Sequence, residues 1–321
     1  LGGVRISPAT GCRQRTFRFT GLRVQPVSGG PAVRVALPAG ARVGLPVFSH
    51  DGRRFAFAGD LADGVELWAG ETTTGAARPV PGVRLNDVLG PAIAWRGDGR
   101  LLVRAVPLGR GTAPAAPTVP VGPLVEETAG KASQMATFQD LLRTPHDEAV
   151  FEHFARAQLA LVDAAGGAVA PLGEPGLYTD AEPSPDGRYL LVERLKAPFS
   201  TRVPYFYFAR STEVWDAAGR KVATIADLPV SDEIPRQGVP TGPRAVAWQP
   251  LAPATLVWLE ALDGGDPTKK VEHRERVMTL AAPFAGAPTE ALRLKQRFAG
   301  VDWTGRPGVA LVTEYDRDRR W

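Results

Sequence analysis

Eight serines, Ser7, Ser28, Ser49, Ser133, Ser184, Ser200, Ser211 and Ser231, are the first candidates for nucleophilic chemistry. A nucleophile elbow needs Gly-x-Ser-x-Gly, because side chains at the flanking positions would collide in its strained turn. None of the eight has glycine both two positions before and two after it. Cys12 is the only cysteine, which rules out an intrachain disulfide and a cysteine zinc site. With no His and carboxylate in register beside it, Cys12 reads as a bystander thiol. His146 and His153 lie near Asp147, Glu148 and Glu152, but on a helix they stand about two turns apart, too far for one metal ion. Asp263-Gly264-Gly265-Asp266 offers oxygen donors, yet it lacks the ligand ladder and closing Glu of a calcium loop and reads as a polar hairpin turn. No metal or cofactor is expected. The remaining candidates are Arg202, Arg210, Arg236 and Arg244, in loops that also carry Tyr205-Phe206-Tyr207-Phe208. A guanidinium fork suits a carboxylate, although a loop arginine is equally an ordinary solvated charge and the aromatic run equally an edge strand.

The elements that would position these residues announce themselves by repetition. A short polar turn followed at once by a hydrophobic strand appears at Ser49-His50-Asp51-Gly52, Gly97-Asp98-Gly99 and Ser184-Pro185-Asp186-Gly187. Looser copies follow Ala245-Val246-Ala247-Trp248 and Gly300-Val301-Asp302-Trp303. Aligning Phe48, Trp95, Pro183, Trp248 and Trp303 gives intervals of 47, 88, 65 and 55 residues, the shortest close to one four-stranded blade. Strands alone at such a period mark a β-propeller. Four of the markers, Phe48, Trp95, Trp248 and Trp303, are expected in blade cores. Residues 16–23 and 32–37 read as a hairpin turning at Ser28-Gly29-Gly30-Pro31. Residues 108–123 are rich in Gly, Pro and Ala, and 137–161 show helical spacing broken by Pro145, so an irregular and helical insert is expected over 108–156.

Composition fits this plan. With 44% hydrophobic and 22% charged residues the chain has enough apolar side chain for a large core, and 35 Gly with 30 Pro imply many short strands and loops. A net charge of +4, without a basic stripe interleaved with aromatics, argues against a nucleic-acid partner. No run of about 18 apolar residues exists to form a transmembrane helix, so no membrane partner is expected.

Several strings then carry a resemblance. They are Thr137-Phe138-Gln139-Asp140-Leu141-Leu142, Asp147-Glu148-Ala149-Val150-Phe151-Glu152, the segment 198–208 leading to Glu213-Val214-Trp215-Asp216, Trp258-Leu259-Glu260-Ala261-Leu262-Asp263-Gly264-Gly265-Asp266-Pro267, and Tyr315-Asp316-Arg317-Asp318-Arg319-Arg320-Trp321. Together, over nearly the whole chain, they resemble the N-terminal propeller of the glutamyl endopeptidase branch of the prolyl oligopeptidase (S9) serine peptidases. The resemblance implies an all-β propeller, about six strand groups of a seven- or eight-bladed parent, with one helical insert. It makes residues 1–321 one propeller domain, expected to be incomplete at both ends and to leave blade edges unpaired.

In that family an α/β-hydrolase domain with a Ser, Asp and His triad follows the propeller. Lacking the elbow, this chain inherits no catalytic residue and is expected to be inactive alone. The implied function is a noncatalytic domain that limits access of peptide substrates, cleaved after Glu, to a hydrolase domain of the same parent. An acidic substrate side chain would then want a guanidinium, and Arg202, Arg210 and Arg236 are the substrate-binding candidates. A different class remains open: a self-contained TolB- or WD40-like propeller acting as a protein-binding scaffold. So does a propeller enzyme such as a glycosidase or lactonase, which needs carboxylates or histidines converging on the axis.

Overall fold

The Ser-x-Asp-Gly segments fold as their chemistry dictates. In the computed structural model, which describes residues 1–14, 17–118, 137–166, 168–235, 237–317 and 319, the Ser49 hydroxyl donates to Asp51 Oδ1 at 2.6 Å and accepts the backbone N–H of Arg54 at 2.9 Å. Gly52 takes φ +68°, a conformation that side chains strain to adopt. Ser184 and Asp186 repeat the pattern, with Ser184 Oγ to Asp186 Oδ1 at 2.6 Å and the Tyr189 N–H to Ser184 Oγ at 3.0 Å. The Ser49 hydroxyl and the Arg53 N–H hold the Asp51 carboxyl below the usual carboxylate range. Burial works against this at Asp186, and the Ser184 and Arg188 donors outweigh it. Because these groups are depressed in the folded state, their contribution is complete above the ordinary Asp value of about 3.9 and is lost as pH falls through the folded one. Asp51→Asn should therefore flatten the acid limb of the stability profile. An unchanged limb in urea titrations at stepped pH would refute this role.

The chain divides into two compact units, Leu1–Val121 with Asp140–Pro183, and Gly122–Gln139 with Ser184–Trp321. The first holds β1 (Arg23–Val24), β2 (Val33–Arg34), β3 (Val47–Phe48), β4 (Arg54–Asp60), β5 (Val65–Glu71), β6 (Ala77–Arg84), β7 (Ile93–Trp95), β8 (Arg100–Ala105), α1 (Pro145–Ala155), β9 (Ala157–Asp163), β10 (Val169–Gly176) and β11 (Tyr178–Pro183). Strands β3 to β6 and β7 to β10 form four-stranded antiparallel sheets in chain order, and β1 pairs with β2. Period-2 alternation sends Phe55, Phe57 and Trp68 to one face of the β3–β6 sheet, packed with Val35 and Val43. Ala56, Leu67 and Ala69 go to the other face, packed with Trp95, Leu101, Val103 and Val162 of the next sheet. A sheet buried on both faces explains the nearly unbroken apolar run of 55–59. Gly70 is required where it stands: a Cβ there would meet the Phe55 ring at 2.6 Å and the Ala76 carbonyl at 2.5 Å. Trp95 Nε1 donates to the Val47 carbonyl at 2.9 Å, tying the two sheets at their first strands.

The second unit holds β12 (Tyr189–Leu195), a 3-10 turn (Tyr205–Tyr207), β13 (Arg210–Asp216), β14 (Lys221–Leu228), β15 (Arg244–Trp248), β16 (Thr255–Ala261), β17 (Glu275–Ala281), β18 (Thr289–Leu294), β19 (Arg297–Trp303) and β20 (Ala310–Tyr315). Strands β12, β13 and β14 pair in that order, β15 to β18 form a four-stranded sheet, and β19 and β20 make a hairpin. Leu191 and Val214 pack against Trp248, Leu256, Trp258 and Met278. A small device recurs: Trp68, Trp215 and Trp258 donate through Nε1 to Glu66, Glu213 and Glu260, each two residues away on the same face, at 2.7 to 2.8 Å. The groove between the β15–β18 sheet and the hairpin keeps a cavity of about 310 Å³ lined by residues such as Val257, Val277, Phe298 and Trp303. The architecture is an all-β propeller of six strand groups with one helical insert.

Four expectations need correction. Phe48 is 51% exposed, because β3 is only two residues long and leaves it at the margin of the sheet. Trp303 is half-buried, since the hairpin covers only part of the groove. The first hairpin pairs over two residues per strand instead of six or more, and Thr16 lies outside the described residues. Pro145 begins the helix and does not break one: it occupies the first turn, where no N–H partner is needed, behind a capping box between Thr144 and Asp147. Residues 137–142 carry no helix, and 119–136 of the expected insert lie outside the described residues.

Candidate functional site

Antiparallel strands sort the connections by end. In the second unit the returns β13–β14 and β15–β16 are short, whereas 196–209, 229–243 and 262–274 all leave from the opposite end. These three long connections are joined: the Ser231 N–H donates to the Tyr207 carbonyl at 2.8 Å, and the Val239 N–H to the Gly265 carbonyl at 3.1 Å. Gly265 is obligatory at this close approach, for a Cβ would stand 2.0 Å from the Val239 oxygen. On this end Phe206 and Tyr207 project from the 3-10 turn against Phe138 and Tyr205 packs on Phe206, with ring centroids 4.9 to 6.2 Å apart. Phe206 is 48% exposed. The run that could read as an edge strand is thus an aromatic cluster on a loop.

Arg202 and Arg210 both belong to this end, and both are matched inside the chain. Arg202 Nη1 reaches Asp232 at 3.3 Å from an exposed position. Arg210 is more deeply set, donating to Glu193 at 3.0 Å, to the Tyr205 carbonyl at 3.2 Å and to the Phe208 carbonyl at 3.3 Å. Arg236 lies outside the described residues. Asp266 binds its own turn through Thr268. His146 and His153 both sit on α1, where His153 packs edge-to-face on Phe154.

Sequence reasoning missed the strongest charge cluster of this unit. Glu275 and Asp263 have no exposed side-chain surface, and three arginines converge on them. Glu275 accepts from Arg244, from Arg297 Nη1 at 3.1 Å and from the Phe298 N–H at 2.8 Å. Asp263 accepts from Arg297 Nη2 at 2.6 Å and Arg274 Nη1 at 3.0 Å. Arg244, a ligand-binding candidate by sequence, is matched by Glu275, 31 residues away, which carries no local signal. The network fastens β19 to the β15–β18 sheet, while the Nε atoms of Arg244 and Arg297 stay buried without an acceptor.

Over 98% of its length the chain is 34% identical to a protein called probable glutamyl endopeptidase, chloroplastic, from Oryza sativa subsp. japonica. Its namesake from Arabidopsis thaliana is 35% identical over the same share. Nearly the whole chain is thus similar to one region of proteins named glutamyl endopeptidase, which supports the N-terminal propeller of the prolyl oligopeptidase (S9) family. It spans about a third of the length of those relatives, 35% and 34%. A solved structure from a study of two prolyl endopeptidases aligns with 91% of this chain and 35% of that one, at a TM-score of 0.51 and 14% identity, which shows the shared fold. No family model matches the chain. The strings that carried the resemblance fall on structural positions of this propeller: Glu213-Val214-Trp215-Asp216 ends β13, and the run from Trp258 to Pro267 spans β16 and the turn that supplies Asp263.

Proposed function

We propose that the chain is the noncatalytic propeller of a serine peptidase, limiting the access of peptide substrates to an α/β-hydrolase domain carried elsewhere in the parent. One observation carries this reading: the match covers nearly all of this chain but only a third of its relatives. The residues support it. No serine occupies a Gly-x-Ser-x-Gly elbow, and Ser49 and Ser184 are spent on turns. Cys12 is buried, and burial first, then Asp87, pushes its thiol up to about 11, so it is no nucleophile at neutral pH. The long connections gathered at one end supply the surface for a partner domain.

The test compares the chain with its parent. A fluorophosphonate should label none of the eight serines here and one serine of the full-length protein. Stoichiometric labelling of this chain would refute the noncatalytic assignment. In the parent, loosening the propeller with Phe57→Ala should raise kcat/KM for an unfolded protein substrate relative to a short peptide. An unchanged ratio would refute the role in access.

A further inference from the structure

The backbone leading into β3 has an edge that the fold begins to cover and then leaves bare. On one side Val43 exchanges two hydrogen bonds with Phe19, each at 2.9 Å, and on the other the Gly44 N–H donates to the Ala58 carbonyl of β4 at 2.8 Å. Antiparallel alternation therefore turns the N–H and C=O of Leu45 back to the side of Phe19. Continuing that register would set Phe17 opposite Leu45, yet no hydrogen bond joins them. Among the described residues the Leu45 N–H and C=O have no partner. Further on, the Val47 carbonyl is taken by Trp95 Nε1 at 2.9 Å, so the bare stretch is bounded by Phe19 and Trp95.

This edge opens on a cavity of about 630 Å³ within the first unit, lined mostly by apolar groups, among them Phe17, Phe19, Leu45, Val47, Pro91 and Ile93. Leu45 is 74% and Phe17 70% exposed, so the edge and the cavity mouth are open to a ligand. Arg13 also lines the cavity. Its backbone N–H donates to the buried Asp87 at 3.0 Å, but among the described residues its guanidinium has neither a hydrogen bond nor an ion pair. Nearby, Arg18 and Arg42 share the one carboxylate of Asp60, so positive charge is in excess here. A free N–H and C=O on a strand edge match another extended backbone, which offers the same two groups and sends alternate side chains to one face.

We propose that an extended peptide segment adds here as a short strand, in line with Phe19 and bonded to the N–H and C=O of Leu45, with an apolar side chain in the cavity. Arg13 selects neutral or acidic flanks over basic ones. The site goes beyond the noncatalytic-propeller reading and does not depend on what the parent cleaves.

The test follows the fluorescence anisotropy of a labelled, blocked pentapeptide, Thr-Val-Leu-Val-Thr, titrated with the chain. Saturable binding is expected. N-methylation of the central Leu should weaken it about 10-fold or more, the effect of a lost backbone hydrogen bond that leaves a carbonyl unpaired. A polar analogue, Thr-Ser-Ser-Ser-Thr, should not bind. Lys in place of both Thr should weaken binding about 3-fold, the scale of exposed charge pairs, and Arg13→Gln should remove that difference. Gly44→Leu should block the site without disturbing the fold, since a Cβ at Gly44 meets only Ala58, at 3.7 Å, and Gly44 lines the cavity. Leu45→Pro, which deletes the edge N–H, should abolish binding; if that variant does not fold, the N-methylated peptide tests the same bond on the unaltered chain. No saturable binding, equal binding of the N-methylated or the polar peptide, or binding untouched by Gly44→Leu would overturn the assignment. Self-association of the chain that Gly44→Leu abolishes and the peptide does not compete with would also overturn it, and give the edge to a second copy.

Discussion

Replacing Glu275 with leucine should lower the unfolding free energy by about 3–5 kcal/mol, the cost of removing one partner from a buried charge cluster. The side chain is fully buried and serves Arg244, Arg297 and the Phe298 N–H at once, so its loss leaves two guanidinium groups in a dry site with too few acceptors. Three arginines already face only two carboxylates there, and two Nε atoms already lack partners. Combining Glu275→Leu with Arg244→Met and Arg297→Met should recover much of the loss, because a well-packed apolar cluster can replace an ion network. Urea titration followed by tryptophan fluorescence reads both. A single-variant loss under about 1 kcal/mol, that of a surface pair, would show that water enters the cluster.

Phe57→Ala should cost a similar amount in the first unit, about 3–5 kcal/mol. Phe57 is fully buried in β4, opposite Trp68 of β5, with its ring stacked 6.0 Å from Phe55 and 5.8 Å from Trp68. Truncation removes the middle ring of a three-ring stack and leaves a cavity that neither strand can close without breaking its register. Phe57→Leu keeps most of the volume and should cost under about 1.5 kcal/mol. Near-equal losses for the two variants would mean that the site collapses or that the stack contributes little beyond area.

Much of the fold was legible because blade geometry is local. Phe48, Trp95, Trp248 and Trp303, aligned by turn chemistry alone, fall within β3, β7, β15 and β19, the first strands of their groups, and Pro183 ends β11. The long interval from Trp95 to Pro183 holds the insert with α1. Pro145 was misread because the same residue ends a helix from within and starts one at its first turn; Thr144 and Asp147 were the local signs that decide between them. The site was less legible for a different reason. Arginines can be seen in a sequence, but Arg210 and Arg244 open β13 and β15 and do not lie in loops as expected, and whether each is matched depends on Asp232, Glu193 and Glu275, which lie 30, 17 and 31 residues from Arg202, Arg210 and Arg244.

The burial of Cys12 bears on how the molecule can be handled. As the only thiol, 1% exposed and protonated up to a pH of about 11, it should be nearly silent toward maleimides. A reporter can therefore be placed by one substitution, with the native cysteine left untouched. Ala218 is a suitable address: it is exposed, lies in the short return between β13 and β14, and gives only its backbone N–H to Asp216. A dye on Ala218→Cys would sit at the end of the second unit opposite the long connections, so partner docking at those loops could be followed by energy transfer without a label in the way.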